Sequence, residues 1–450
     1  MQRITRIALV FLGLTLTSCG GGSRGEPLAD AGPMDIPTDI PATEDTPLPQ
    51  DIGPEASRPM DTLLPQDVSP DGPLTDTPEP QDVGPEADGP TDTPTPEDTI
   101  PTGIGPLCFP NVYEEGEPGP DYDQYQPIIG THCFGTNHQD ITDVQRVVFF
   151  GDSVTVGTPN TAHLLSLDNS HFYRNLLAEW LADEFDLDTG GLLSWGVWKT
   201  YDYFSGKGGK MESGDFKDCS KWGGRTDDLL DGGGQIGECM PEGGSPFRTL
   251  FVFTMGGNDI AKITQVGAEA TPEEIAAGYP EAWALAESTV NYLEEAVQWL
   301  KDPERFPNGS YVLYVNGFEF TDATGETSAC TPNLEFDIPG IGMINLAELG
   351  IPTANLAGFG EWAQPAVQAN IVIWMMEQTM RIAVDYQADM VWTIEAFCGH
   401  GYKAAGFNAD PENRCYIDDD AALYFDETCI HPSDAGHAAL YEMFRAVVEE

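Results

Sequence analysis

The spacing of apolar positions divides the chain near residue 105. Beyond it, short β-rich runs alternate with segments of helical period. Residues 144–150 and 248–255 are mainly apolar runs of strand length, and 310–315 and 390–394 are shorter ones. Apolar residues at successive positions suit strands covered on both faces. Between these runs the period lengthens. Residues 171–185 place Leu176, Leu177, Trp180 and Leu181 on one helical face. Thr271-Pro272-Glu273-Glu274 reads as a helix start, with an N-cap Thr and Pro at the first helical position. Helical pattern continues from there, with interruptions, to about Leu300. Residues 363–386 predict a long helix and 433–448 a final one, with Asp434 near its start. Strands alternating with helices imply a parallel sheet covered on both faces. An active site on such a sheet lies outside the carboxyl ends of the strands.

Residues 20–105 carry neither period. They are dominated by Pro, Asp, Thr, Gly and Glu and contain no aromatic residue. Pro49-Gln50-Asp51-Ile52-Gly53-Pro54 recurs from Pro65 and again from Pro80, without the apolar content that a stacking repeat needs. Such a segment cannot bury a core and is predicted to be disordered. As a flexible coil it spans roughly 50 Å, and as extended polyproline roughly 270 Å. It reads either as a stalk or as a plain spacer. Ahead of it, Arg3 and Arg6 precede an apolar run over 7–16 that is too short to span a bilayer. Leu16-Thr17-Ser18-Cys19 then resembles the lipobox of bacterial lipoprotein precursors, which implies lipidation of Cys19 and a mature N-terminus there. Gly20, rather than Asp, follows that Cys, which by the usual sorting pattern points to the outer membrane. The alternative is an ordinary signal peptide cleaved nearby. The expected organisation is a lipoprotein signal peptide at 1–19, a linker at 20–105 and a catalytic domain at 106–450, placed outside the cytoplasm.

Charge narrows the partners. The formal net charge is −54; residues 1–105 hold 19 acidic and 4 basic side chains, and 106–450 hold 55 and 16. A domain at −39 repels phosphate backbones, so nucleic acid is not an expected partner. Apart from Cys19 there are eight cysteines, at 108, 133, 219, 239, 330, 398, 415 and 429. None form a C-x-x-C pair, which argues against zinc, and an even number behind an export signal suggests disulfides. Proximity pairs Cys219 with Cys239 and Cys108 with Cys133.

Four short motifs fall at strand ends or before helices. Gly151-Asp152-Ser153 follows the first strand, where a Ser is held on a tight turn at a helix start. Trp222-Gly223-Gly224-Arg225-Thr226 brings glycines that let a backbone N–H approach a ligand. Met255-Gly256-Gly257-Asn258-Asp259 places an amide where it can donate to an oxyanion. His431-Pro432, with Gly436-His437 behind it, offers a general base before the last helix. Each alone is an ordinary turn, cap or surface residue. Together and in this order they resemble the sequence blocks of the SGNH (GDSL) hydrolase family over roughly 144–447.

The resemblance implies a three-layer α/β/α sandwich with a flavodoxin-like parallel sheet. It implies Ser153 as nucleophile, His431 as base, and an oxyanion hole from the Ser153 and Gly224 N–H groups and the Asn258 amide, with no metal or cofactor. The chain departs from the family at the third triad member. The usual Asp lies three residues before the His, and that position is Thr428. Asp426 is the expected acid, reached by a longer loop braced through Cys429. Glu427, or a dyad oriented by a backbone carbonyl, are the alternatives.

Other residues invite two readings each. His400 is a weaker rival base. Asp418-Asp419-Asp420 is a solvated acidic loop or a calcium site. His437 supports the final helix. Trp195, Trp198, Tyr201, Tyr203 and Phe204 are core packing or the lining of an acyl or sugar site. The expected function is a surface-anchored esterase or lipase acting on a small-molecule, lipid or glycan ester. The alternatives are a carbohydrate O-deacetylase of the same fold and a non-catalytic binding protein on a decayed scaffold.

Overall fold

A computed structural model of the chain describes residues 103–110, 112, 119–157, 171–199, 210–230, 234–318, 320–325, 335–338, 342–345, 362–406, 409–426 and 428–450. Residues 1–102, with Cys19, and Tyr201, Tyr203, Phe204, Cys330 and Glu427 lie outside the described residues.

In chain order the elements begin with α1 (Ile104–Cys108), β1 (Arg146–Gly151), α2 (Ser153–Val156), α3 (Tyr173–Phe185) and α4 (Leu192–Trp198). Then come β2 (Met211–Ser213), β3 (Phe216–Asp218), α5 (Gln235–Cys239), β4 (Thr249–Thr254), α6 (Gly257–Ala268), α7 (Pro272–Ala276) and α8 (Pro280–Leu300). The remainder are β5 (Ser310–Val315), β6 (Glu335–Ile338), β7 (Gly342–Asn345), α9 (Pro365–Tyr386), β8 (Asp389–Val391), α10 (Thr393–Phe397) and α11 (Asp434–Glu449).

The main sheet runs β2-β3-β1-β4-β5-β8, and β6 and β7 form a separate antiparallel pair. Every pairing in the main sheet is parallel except β2 with β3. The second parallel strand thus lies outside the first, as in flavodoxin-type sheets. Alternation along the strands sorts side chains to two cores. Val148, Phe150, Phe251, Phe253, Val312 and Tyr314 pack with residues of α6, α8 and α9. Val147, Phe149, Leu250, Val252 and Leu313 pack with residues of α3 and α11. This is an α/β fold with helices on both faces of a mostly parallel sheet.

Sequence and structure differ where local rules intervene. The helical pattern from Thr271 ends at Ala277 because Gly278 takes a left-handed conformation, φ 82°, that closes the helix; Tyr279 is left-handed too, and Pro280 restarts the pattern as α8. The apolar run at 390–394 is not all strand. It stays apolar because Trp392 and Thr393, where the chain turns into α10, are fully buried as well. The β2–β3 hairpin escapes apolar periodicity because its strands are three residues long and include Glu212, Lys217 and Asp218. Lys217 and Asp218 are nonetheless buried, the first donating to the Cys239 carbonyl at 3.1 Å and the second paired with the buried Arg174.

Disulfides join Cys108 to Cys133 and Cys219 to Cys239, the pairs that proximity suggested, and also Cys398 to Cys415. Cys429 is disulfide-bonded too. Closing loops of this length contributes roughly 3 kcal/mol each in the chain-entropy view. Among the described residues no helix is long and apolar enough to cross a membrane.

Candidate active site

The site is built at the carboxyl ends of β1 and β4. β1 ends on Gly151, whose φ is 131°. A Cβ there would come within 2.5 Å of Thr155 Oγ1 and of the Thr254 carbonyl, so the turn requires glycine. The turn sets Ser153 at the first position of α2, where its N–H has no intrahelical acceptor. Asp152 caps this turn. Its Oδ1 accepts from Val154 N and from Thr254 Oγ1, each at 3.0 Å. Behind it, hydroxyl contacts continue from Thr254 to Thr155 (2.7 Å) and on to Tyr173 (2.6 Å). Burial pushes the Asp152 carboxyl up to about 6.

A clamp on the same turn has no counterpart in the sequence motifs. The fully buried Gln235 accepts from Gly151 N–H at 2.7 Å and donates to Gly151 C=O at 2.9 Å. It pairs with both backbone groups of the last residue of β1 as a neighbouring strand would. Gln235→Ala is expected to leave the Gly151 N–H buried and unpaired, while the carbonyl keeps the Lys221 N–H at 2.9 Å, and to lower stability by about 1–3 kcal/mol. A urea midpoint equal to the wild type's would contradict this.

His431 is 6 % exposed and its ring centroid lies 5.0 Å from that of Trp222. Its Nε2 is 2.9 Å from Ser153 Oγ. Burial pushes the imidazole down to about 4. Nδ1 faces a hydroxyl: it is 2.8 Å from Thr428 Oγ1, which is 2.5 Å from Asp426 Oδ1. Asp426, expected against the ring, therefore reaches it through Thr428 rather than directly. The longer loop is closed upon itself. Asp426 N–H donates to the His431 carbonyl at 2.9 Å, Phe425 and Pro432 form an antiparallel bridge, and Cys429 takes a φ of 72°. Glu427, the other candidate acid, lies outside the described residues.

Asp322 and Tyr402 support this loop, and neither was singled out from sequence. The two carboxylate oxygens of Asp322 accept from the N–H groups of Gly399, Gly401, Lys403 and Ala404 at 2.8–3.0 Å. Tyr402, within that gathered segment, donates its hydroxyl to the Asp426 carbonyl.

The remaining two motifs are joined to each other. Asn258, in the first turn of α6, donates from Nδ2 to the Gly224 carbonyl at 2.9 Å. Asp259 accepts from both the N–H and the hydroxyl of Thr226 at 3.1 Å. Its carboxyl is pushed up to about 7 by burial. A Cβ on Gly224 would stand 3.1 Å from the Gly151 carbonyl, so glycine lets this loop lie against the turn that carries Ser153. The Gly224 N–H itself donates to the Lys221 carbonyl at 3.0 Å. Of the three expected oxyanion donors, this one is already engaged. An amide nitrogen carries two hydrogens, so Asn258 keeps one beyond its bond to Gly224.

Other singled-out residues sit elsewhere in the fold. His400 stacks on Tyr424, with Nδ1 2.8 Å from the Ala422 carbonyl. His437 is buried at the start of α11, with Nδ1 accepting from Tyr173 N–H at 3.4 Å. Trp198 is core, packed on Phe149 and Phe216, with Trp195 stacked on it. Asp418, Asp419 and Asp420 are exposed. Among the described residues no three His, Cys, Asp or Glu side chains are grouped to hold a metal ion.

The sequence matches no family model and no curated protein. Solved structures similar to the chain include two lipolytic enzymes. One is an extracellular lipase from Streptomyces rimosus, at 15 % identity over 68 % of this chain and 100 % of that one, with a TM-score of 0.36. The other is phospholipase A1 from Streptomyces albidoflavus NA297, at 17 % identity over 67 % and 99 %, with a TM-score of 0.34.

Proposed function

We propose that this chain is a serine ester hydrolase of the SGNH type that works through an acyl-enzyme on Ser153. The observation that carries the reading is the 2.9 Å contact between Ser153 Oγ and His431 Nε2. A neutral imidazole there accepts the hydroxyl proton as Oγ attacks the ester carbonyl carbon. The Ser153 N–H and the second Asn258 amide hydrogen are the donors for the developing oxyanion. When the tetrahedral adduct collapses, His431 returns the proton to the leaving alcohol. Water then enters, gives its proton to His431 and attacks the acyl carbon; the Oγ–acyl bond breaks, the carboxylic acid leaves, and His431 returns the proton to Ser153 Oγ.

This reading is tested with a panel of p-nitrophenyl esters of increasing chain length alongside acetylated glycans. Hydrolysis of at least one member is expected, and the preferred member assigns the acyl and alcohol class. No turnover of any member would favour a binding protein on a decayed scaffold. Asn258→Ala is expected to lower kcat by about 10²- to 10³-fold while KM stays within a few-fold, because the oxyanion exists in the transition state and not in the ground state. An equal rise in KM with unchanged kcat would remove Asn258 from that role.

The lipobox ending at Cys19 supports export and lipid modification, with residues 20–105 tethering the domain to the cell envelope. Cys19→Ala is expected to move the protein from the membrane fraction to the soluble fraction. Persistence in the membrane fraction would reject the anchor.

A further inference from the structure

We propose that Thr428 is a positioning residue that couples Asp426 to His431 and thereby fixes the tautomer of the base. The proposal rests on the reading of Ser153 and His431 as nucleophile and base, and it assigns a role to the residue that stands where the related enzymes carry their acid.

A threonine hydroxyl has one hydrogen to give and two lone pairs to receive with. Thr428 Oγ1 has three polar neighbours: Asp426 Oδ1 at 2.5 Å, His431 Nδ1 at 2.8 Å and His431 N at 3.2 Å. An ionised carboxylate only accepts, so the hydroxyl hydrogen goes to Asp426. The oxygen then faces His431 with lone pairs alone. The backbone N–H takes one of them. Nδ1 contacts the other and must carry a hydrogen to do so. The ring is therefore the Nδ1–H tautomer, and its Nε2 lone pair points at Ser153 Oγ. This is the form that can remove the serine proton. The reversed hydroxyl, donating to Nδ1, would place the ring hydrogen on Nε2 and disable the base.

The local fold holds this arrangement in one orientation. The same Asp426 oxygen accepts from Thr428 N–H at 2.8 Å, so the carboxylate is fixed against the backbone and side chain of Thr428 together. The loop closure by the Phe425–Pro432 bridge and the Tyr402 bond to the Asp426 carbonyl set where that carboxylate stands. The charge of Asp426 also opposes the loss of hydration when the buried ring becomes positive during attack, and Thr428 is the conductor between them.

Kinetics on the full chain test this. Thr428→Val keeps the shape and removes the hydroxyl. It is expected to lower kcat by about 10²- to 10⁴-fold, the range found when an orienting group is lost, with KM within a few-fold. Thr428→Ser keeps the hydroxyl and is expected to stay within about ten-fold of wild type. Asp426→Asn removes the charge and is expected to lower kcat alone, yet to add nothing in the Thr428→Val background. Thr428→Asp places a carboxylate directly beside Nδ1 and is expected to move the acid limb of the pH profile upward.

Wild-type kcat in Thr428→Val, or losses from Asp426→Asn and Thr428→Val that multiply in the double variant, would overturn the relay. If Thr428→Val does not fold, Thr428→Ser and Asp426→Asn still decide: failure of the serine variant to sustain activity, or a wild-type kcat in the asparagine variant, overturns it. An inactive wild type, or an active Ser153→Ala, would instead reject the underlying reading of the site. The two failures are thus distinguishable.

Discussion

Replacing Ser153 with alanine is expected to lower kcat for ester hydrolysis by roughly 10⁴- to 10⁶-fold, the scale on which removing a serine nucleophile acts in such sites. The side chain is 7 % exposed and the substitution removes only the oxygen. The turn itself is held by groups that the variant keeps: the glycine at 151, the Asp152 cap and the Gln235 clamp. The thermal midpoint is therefore expected to stay within a few degrees of wild type. The residual rate would reflect the oxyanion donors and His431 acting on water. A variant that retained more than a tenth of wild-type kcat would show that another group attacks the ester.

His431 gives the second large effect, and it carries a pH signature. His431→Ala is expected to lower kcat by roughly 10⁴-fold or more. In the wild type, only the neutral ring can accept the Ser153 proton. Burial holds its pKa near 4, below the ordinary value of 6.5, so the ring stays neutral across the range where an exposed histidine would be charged. The acid limb of kcat/KM is accordingly expected near pH 4, not at the pH 6–7 that an unperturbed histidine would give. A limb at pH 6.5 would mean that the ring is solvated in the working enzyme.

Stability follows a related rule. Below 6.5 the unfolded chain binds a proton at this histidine that the folded chain refuses, so its contribution is present above 6.5 and lost as the pH falls towards 4. That loss is on the order of 3 kcal/mol. Asp152 and Asp259 act in the opposite sense. Their folded values are raised to about 6 and about 7, so their contribution is full below the ordinary carboxylate value and is lost as the pH rises through 6 to 7. Acidification from pH 7 to 5 therefore gains from the carboxyls while the histidine loses, which favours measuring the kinetic limb on folded protein.

Ser153, His431 and Asn258 were legible because each stands in a short motif beside a strand or helix that its own apolar period reveals. The parallel sheet was legible for the same reason, from the runs that became β1, β4 and β5. What escaped depends on contacts distant in sequence. Gln235 reaches Gly151 from 84 residues away, and no local pattern marks it. Asp322 is a polar residue in a polar stretch until four peptide N–H groups gather on it. Thr428 read as a missing acid. Its use became visible only when the loop closed through the Phe425–Pro432 bridge and brought one hydroxyl between a carboxylate and the imidazole.

The nucleophile can be tested without knowing the substrate. The protein is treated with a fluorophosphonate at neutral pH, digested, and the modified peptide sequenced by mass spectrometry. A single stable adduct is expected on Ser153, absent in Ser153→Ala and formed far more slowly in His431→Ala. No adduct on the wild type, or equal labelling of Ser153→Ala, would contradict it.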